Sequence, residues 1–184
     1  MSNEVNATKA NEAPTRLADG TYQPVLTVSD LDRCGRRWML GASIYNYESQ
    51  CAPAVMFATE PALRKIYGGD EEGYRRSLLS TYRYYNATPQ VSGLLLGAGL
   101  ALEDKGHNDA IDAVQDLKIG LMGSLSGVGD TIFAILIPTI FGSIAAYMGQ
   151  AGNPVGVLLW LAVAIAIFVW KLFDWRIGYK FGDK

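Results

Sequence analysis

Between Lys118 and Lys171 the chain carries one charged residue, Asp130, and that acid closes the glycine-rich string GLMGSLSGVGD. An acid at the head of a long apolar tract is costly to bury, so it marks a functional site or a buried pairing. The string sets Gly120, Gly123, Gly127 and Gly129 around Ser124, Ser126 and Asp130. A phosphate-binding loop would need Gly-Lys-Ser/Thr, and a dinucleotide fingerprint a βαβ setting; neither is present. Glycines at membrane depth let backbones approach one another or a ligand, and they support a non-helical turn whose amides can bond a polar solute. The string therefore reads as a re-entrant turn, with a helix-packing motif capped by Asp130 as the alternative.

A second group, Asn86, Thr88 and Gln90 around Pro89, stands just ahead of a short apolar run, VSGLLLGAGLAL. Neutral amides and hydroxyls read sugar hydroxyls well, because they donate and accept without a net charge to desolvate. These three are the candidate substrate-binding residues, against the alternative of a plain interhelical loop. No Ser/His/Asp, Cys/His or paired-carboxylate arrangement is apparent, so no catalytic residue is expected. Cys34 and Cys51 lack the spacing and accompanying histidine of a metal site, and the one histidine, His107, is expected to be solvated in a polar loop. Neither metal nor cofactor is therefore expected. A net charge of −2 offers no basic face for nucleic acid.

The elements that position these groups follow from how charge and apolarity are segregated. The reading is an all-α integral membrane protein: N-terminal amphipathic helices, a glycine-rich re-entrant turn and a transmembrane helical hairpin. Residues 1–24 are polar, without the apolar core of a signal peptide, and read as a disordered tail. Residues 25–90 read as cytoplasmic or interfacial helices, and residues 91–184 as the membrane-embedded region. Ser29 with Asp32 resembles a helix N-cap. Arg33, Arg36 and Arg37 beside Trp38, Met39, Leu40 and Ile44 suit a helix in the headgroup region, or equally one docked on a partner protein. Further helices are expected over about 45–67, where Pro61 should kink or end the first half, and 71–85. Residues 91–102 are too short to span, since a crossing needs about 20 residues; a re-entrant segment and a buried helix both fit.

Two spans are expected, at about 131–149 and 155–173, joined by a tight turn. Pro138 should bend the first, and Gly142 with Ala146, and Ala145 with Gly149, offer a small-residue packing face. Trp160 and Trp170 bracket the second span, with Trp175 and Tyr179 beyond it as interface anchors. The turn holds no Lys or Arg whereas both flanks do, which places the flanks in the cytoplasm.

Five blocks now bear on family: LTVSD near the start, NYE at Asn46 to Glu48, YYNATP at Tyr84 to Pro89, LALED at Leu100 to Asp104 and KIGLMGSLSGVGD at Lys118 to Asp130. In this order they resemble the IID subunit of the mannose-family phosphotransferase system, whose members show NYER or NFER, FFNTxP, ALEE and KxGLMGPLAGxGD before an apolar hairpin. The resemblance implies a subunit that pairs with the membrane subunit IIC in a trimeric assembly carrying a hexose or amino sugar across the bacterial inner membrane. Soluble IIA and IIB proteins would supply the phosphate, so this chain would hold no phosphorylated residue. Asn86, Thr88 and Pro89 fall on the family pattern, as do Gly120, Gly123, Gly127, Gly129 and Asp130. Ala87 and Ser124 depart from it, replacing Thr and Pro. The family also continues well past the point where this chain stops. That leaves a shortened or split transport subunit, or a membrane adaptor that binds partners without transporting. Membrane lipid is a further expected partner.

Overall fold

The computed structural model describes residues 15–41 and 43–183, and among them every regular element is helical. In chain order these are α1 (Val28–Gly41), α2 (Ala52–Ile66), α3 (Glu71–Thr81), α4 (Ser92–Gly106), a 3-10 turn (His107–Asp109), α5 (Ile111–Gly129), a π-helical stretch (Asp130–Leu136), α6 (Ile137–Gln150) and α7 (Val155–Gly182).

Residues 111–150 run as one 40-residue helical rod, and α7 is a second of 28 residues. Both leave large apolar side chains outside the protein: Ile135, Leu161 and Phe168 are each more than half exposed. A core helix would bury that surface; hydrocarbon is the solvent that accepts it. The expected apolar hairpin is therefore present. Gly156 lies against Ala145, where an added Cβ would stand 2.9 Å from the Ala145 Cα, and Gly142 faces Trp160. Ala145 thus packs the hairpin as expected, whereas a Cβ added at Gly149 would meet nothing within 4 Å. Pro138 removes one amide donor and crowds the carbonyl four residues earlier. The rod absorbs this by widening into the π stretch just before it.

At 1.5 Å per residue α7 is about 42 Å long, while a hydrocarbon core is about 30 Å thick. Its last third must therefore project beyond the membrane, and the other helices collect around that end. α4 lies along it through four glycines, Gly93 and Gly97 on one side and Gly178 and Gly182 on the other. A Cβ on Gly97 would collide with the Trp175 carbonyl and stand 2.9 Å from the Tyr179 nitrogen; one on Gly182 would sit 2.6 Å from the Ala98 oxygen. The run 91–102 is accordingly a buried core helix, extended to Gly106 and not re-entrant. α1 crosses the same end at Gly35, against Trp175. Trp175 is wholly buried and the Tyr179 hydroxyl donates to Asp104 Oδ2 at 2.6 Å. Neither is an interface anchor, because at these positions α7 faces α1 and α4.

Several local expectations shift. α1 is capped by Thr27, whose N–H and hydroxyl both donate to Asp30 Oδ2 at 2.8 and 2.6 Å. Ser29 does not cap it, and Asp32 instead pairs bidentately with Arg176 at 2.5 and 2.6 Å. Pro61 does not end α2, which runs on to Ile66: the carbonyl it orphans, Phe57 O, accepts from Arg37 Nε at 2.6 Å. The expected tail is partly folded. Residues 1–14 lie outside the described residues, but Tyr22 N donates to Lys105 O at 2.8 Å, and Val25 N and Leu26 N donate to the buried Asp104 carboxylate. His107 is buried, not solvated, against Tyr22 at 3.9 Å between ring centroids with the rings tilted by 43°. Burial holds its pKa below the usual value and favours the neutral ring.

Asp30 carries a pH prediction. Partial burial alone would raise its carboxyl pKa, but the Lys65 ammonium and the Thr27 donors outweigh that and hold it below the ordinary value. Its contribution is fully present above the unfolded pKa, about 3.9, and is lost as pH falls through the lower folded value. Asp30→Asn should therefore cost about 1 kcal/mol at neutral pH, read as a lower thermal midpoint. The gap to the parent should close in strong acid; a gap independent of pH would contradict the pairing.

Candidate functional site

The segment from Tyr84 to Gln90 has almost no regular structure, yet its backbone carbonyls are tied down one after another. Ser92 Oγ lies within 3.3 and 3.0 Å of the Ala87 and Thr88 oxygens. Trp38 Nε1, from α1, donates to Pro89 O at 3.1 Å, and Trp170 Nε1, from α7, donates to Gln90 O at 2.8 Å. Buried Ala87 fills the space beneath. A loop whose carbonyls are held from three helices is rigid without being helical.

The glycine string does not form the expected turn. It is helical throughout, as the last part of α5 and the start of the π stretch. Each glycine costs up to about 1 kcal/mol in helix propensity, but backbone at the edge of hydrocarbon must satisfy its own polar groups, and a helix does so within the segment. The glycines serve close approach instead. A Cβ at Gly129 would stand 2.5 Å from both Cβ and Oγ1 of Thr88. That contact joins the two groups singled out from the sequence: the Thr88 hydroxyl lies 2.7 Å from Asp130 Oδ1, with Ser126 O at 3.1 Å. Ser126 Oγ lies 3.3 Å from the other carboxylate oxygen.

Beside this junction is an open cleft of about 390 Å³, lined by Tyr84, Asn86, Ile119, Met122, Gly123, Ser126 and Gly127. Added Cβ atoms at Gly123 and Gly127 would meet nothing within 4 Å. The floor of the cleft is therefore bare helix backbone. Of the three expected sugar-reading residues only Asn86 opens onto this space. Thr88 is buried with its hydroxyl 2.7 Å from Asp130 Oδ1, and it lies outside the cleft lining. Gln90 has a buried side-chain oxygen with no partner and lies outside the cleft lining. Ser124 and Gly120 also lie outside the lining.

Tyr84, half exposed, was not singled out from the sequence, although it stands two residues from Asn86 in the same block; nor were Trp38 and Trp170 as loop clamps. An aromatic ring, a neutral amide and an apolar wall with accessible backbone suit a compact polyol, whose C–H face stacks while its hydroxyls hydrogen-bond. Of the two cysteines, Cys34 has its thiol pushed up to about 12 by burial, which makes it a poor nucleophile. Among the described residues no group of three His, Cys, Asp or Glu side chains could hold a metal ion.

Residues 25–184 match the family described as the PTS system mannose/fructose/sorbose family IID component. The chain is 34% identical over 142 residues to the mannose-specific EIID component of Escherichia coli K12, covering 76% of this chain and 50% of that protein. It is 31% identical over 150 residues to the fructose permease IID component of Bacillus subtilis 168, covering 79% and 52%. Among solved structures it resembles a chain of the mannose transporter ManYZ in complex with microcin E492. The TM-score is 0.77 at 28% identity, over 88% of this chain and 60% of that one. The chain thus spans about half the length of the curated relatives it matches.

Proposed function

The chain belongs to the mannose/fructose/sorbose family of phosphotransferase-system IID components, and from that premise we propose that it is a translocation subunit importing a hexose or amino sugar together with a IIC membrane subunit. Soluble IIA and IIB proteins phosphorylate the sugar as it is released, and no residue of this chain takes the phosphate. Its place is the bacterial inner membrane, crossed more than once, with the N-terminus in the cytoplasm. Lys118 before the hairpin, and Lys171, Arg176 and Lys180 after its second helix, support that orientation. The assembly is a trimer of IIC–IID pairs. On α5 outside the cleft lining, a Cβ added at Gly120 would meet nothing within 4 Å, and that open glycine suits close packing by a membrane partner.

One observation carries the sugar site: the Thr88–Asp130 contact, which fixes Asn86 at the rim of a sugar-sized cleft where the apolar rod begins. Asn86 would read hydroxyls with its amide, and Tyr84 would stack on the ring. Asn86→Ala should lower sugar uptake roughly tenfold, the equivalent of one neutral hydrogen bond of about 1.4 kcal/mol, without lowering the amount of protein in the membrane. Uptake at the parental rate would remove Asn86 from the site.

A further inference from the structure

We propose that the exposed face of α1 binds anionic phospholipid headgroups, with Arg33 and Arg36 as the side chains that contact phosphate. This rests on the membrane placement of the hairpin and is independent of the sugar site.

Depth comes first. Gly35 of α1 packs against Trp175, and a Cβ there would stand 3.8 Å from the Lys171 and Leu172 carbonyl oxygens. Those residues end the apolar run of α7, so α1 crosses at the level where α7 leaves hydrocarbon. The bidentate Asp32–Arg176 pair fastens the crossing.

Charge comes second. Both acids of α1 are neutralised by other elements, Asp30 by Lys65 at 2.5 Å and Asp32 by Arg176. Arg37 is also engaged, by Glu60 at 3.6 Å and by the Phe57 carbonyl. Arg33 and Arg36 remain exposed, and among the described residues neither takes part in an ion pair. The face is thus net positive at the one height where phosphate is abundant.

Spacing comes third. Arg33, Arg36 and Leu40 lie three and four residues apart and form one stripe. Leu40 is 74% exposed and Ile44, just past the helix, 43%. Two guanidiniums one turn apart match phosphate oxygens, and apolar side chains beside them suit the acyl boundary better than water. An acidic protein partner would share the charge complementarity but would leave unexplained why the stripe sits at headgroup height.

Native mass spectrometry of the detergent-purified chain, titrated with phosphatidylglycerol or phosphatidylcholine, tests the site. The parent should prefer phosphatidylglycerol. R33Q/R36Q should lose that preference by roughly 25-fold, about fivefold for each juxtamembrane cation. R33K/R36K should largely keep it, and R76Q, on α3, should leave it unchanged. An undiminished preference in R33Q/R36Q would overturn the proposal, and if that variant also stopped co-purifying with its membrane partner the face would be a protein interface. Loss of the preference in R33K/R36K as fully as in R33Q/R36Q would equally overturn it, since charge would then not be what binds.

Discussion

Gly97→Val is expected to separate α4 from α7 and to unfold much of the body outside the membrane. The added side chain would collide with the Trp175 carbonyl oxygen, and its Cβ would stand 2.9 Å from the Tyr179 nitrogen. These are backbone atoms inside a helix, so nothing at the contact can rotate away. Overpacking a core usually costs about 1–3 kcal/mol; here relief requires moving a whole helix, and the cost should reach the upper end of that range or exceed it. Gly178→Val should do the same from the opposite side, where a Cβ would meet the Leu94 carbonyl group and stand 2.8 Å from the Gly93 oxygen. Thermal unfolding of the detergent-purified chain is the measurement. Gly123→Ala is the control: its Cβ meets nothing within 4 Å, and alanine favours a helix by up to about 1 kcal/mol. That variant should be as stable as the parent or more so. A parental midpoint for Gly97→Val would mean that α4 does not lie against α7 in this register.

Thr88→Val and Asp130→Asn are each expected to reduce sugar uptake by an order of magnitude or more while the protein still reaches the membrane. Valine keeps the shape of threonine but cannot donate to the carboxylate 2.7 Å away. A hydrogen bond to a charged group contributes about 1.5–3 kcal/mol, and losing it frees Asn86 from the cleft rim. Asparagine at 130 removes the charge that strengthens the same bond. Because both substitutions break one contact, the double variant should be little worse than either single variant. Fully additive losses in uptake would show that the two residues act separately.

Much of this molecule is legible in the chain. Fifty-two residues with a single charge cannot form an ordinary surface, so the apolar hairpin follows from composition alone. The two polar groups at its head were recognisable from residue type. Their roles were harder to read, since one signal covers several uses. A glycine lowers helix propensity wherever it stands, which made the string look like a turn. Only the neighbours show that Gly129 admits Thr88 while Gly123 and Gly127 leave a cleft floor open. Likewise Gly93, Gly97, Gly178 and Gly182 mark a crossing of two backbones, but nothing local to either segment says that they face each other. Pro61 looks like a break until Arg37, from another helix, supplies the missing donor.

The sequence by itself determined the helical class, the membrane hairpin, and which polar residues stand at the boundary, because hydropathy and donor–acceptor chemistry belong to the residue. The tertiary structure alone decided that Thr88 meets Asp130 across 42 residues, that Gln90 lies outside the cleft lining, that Trp175 and His107 are interior, and that Tyr179 packs against the core. The reason is geometric: α7 outruns the bilayer, and what packs around its projecting end depends on where distant helices cross it.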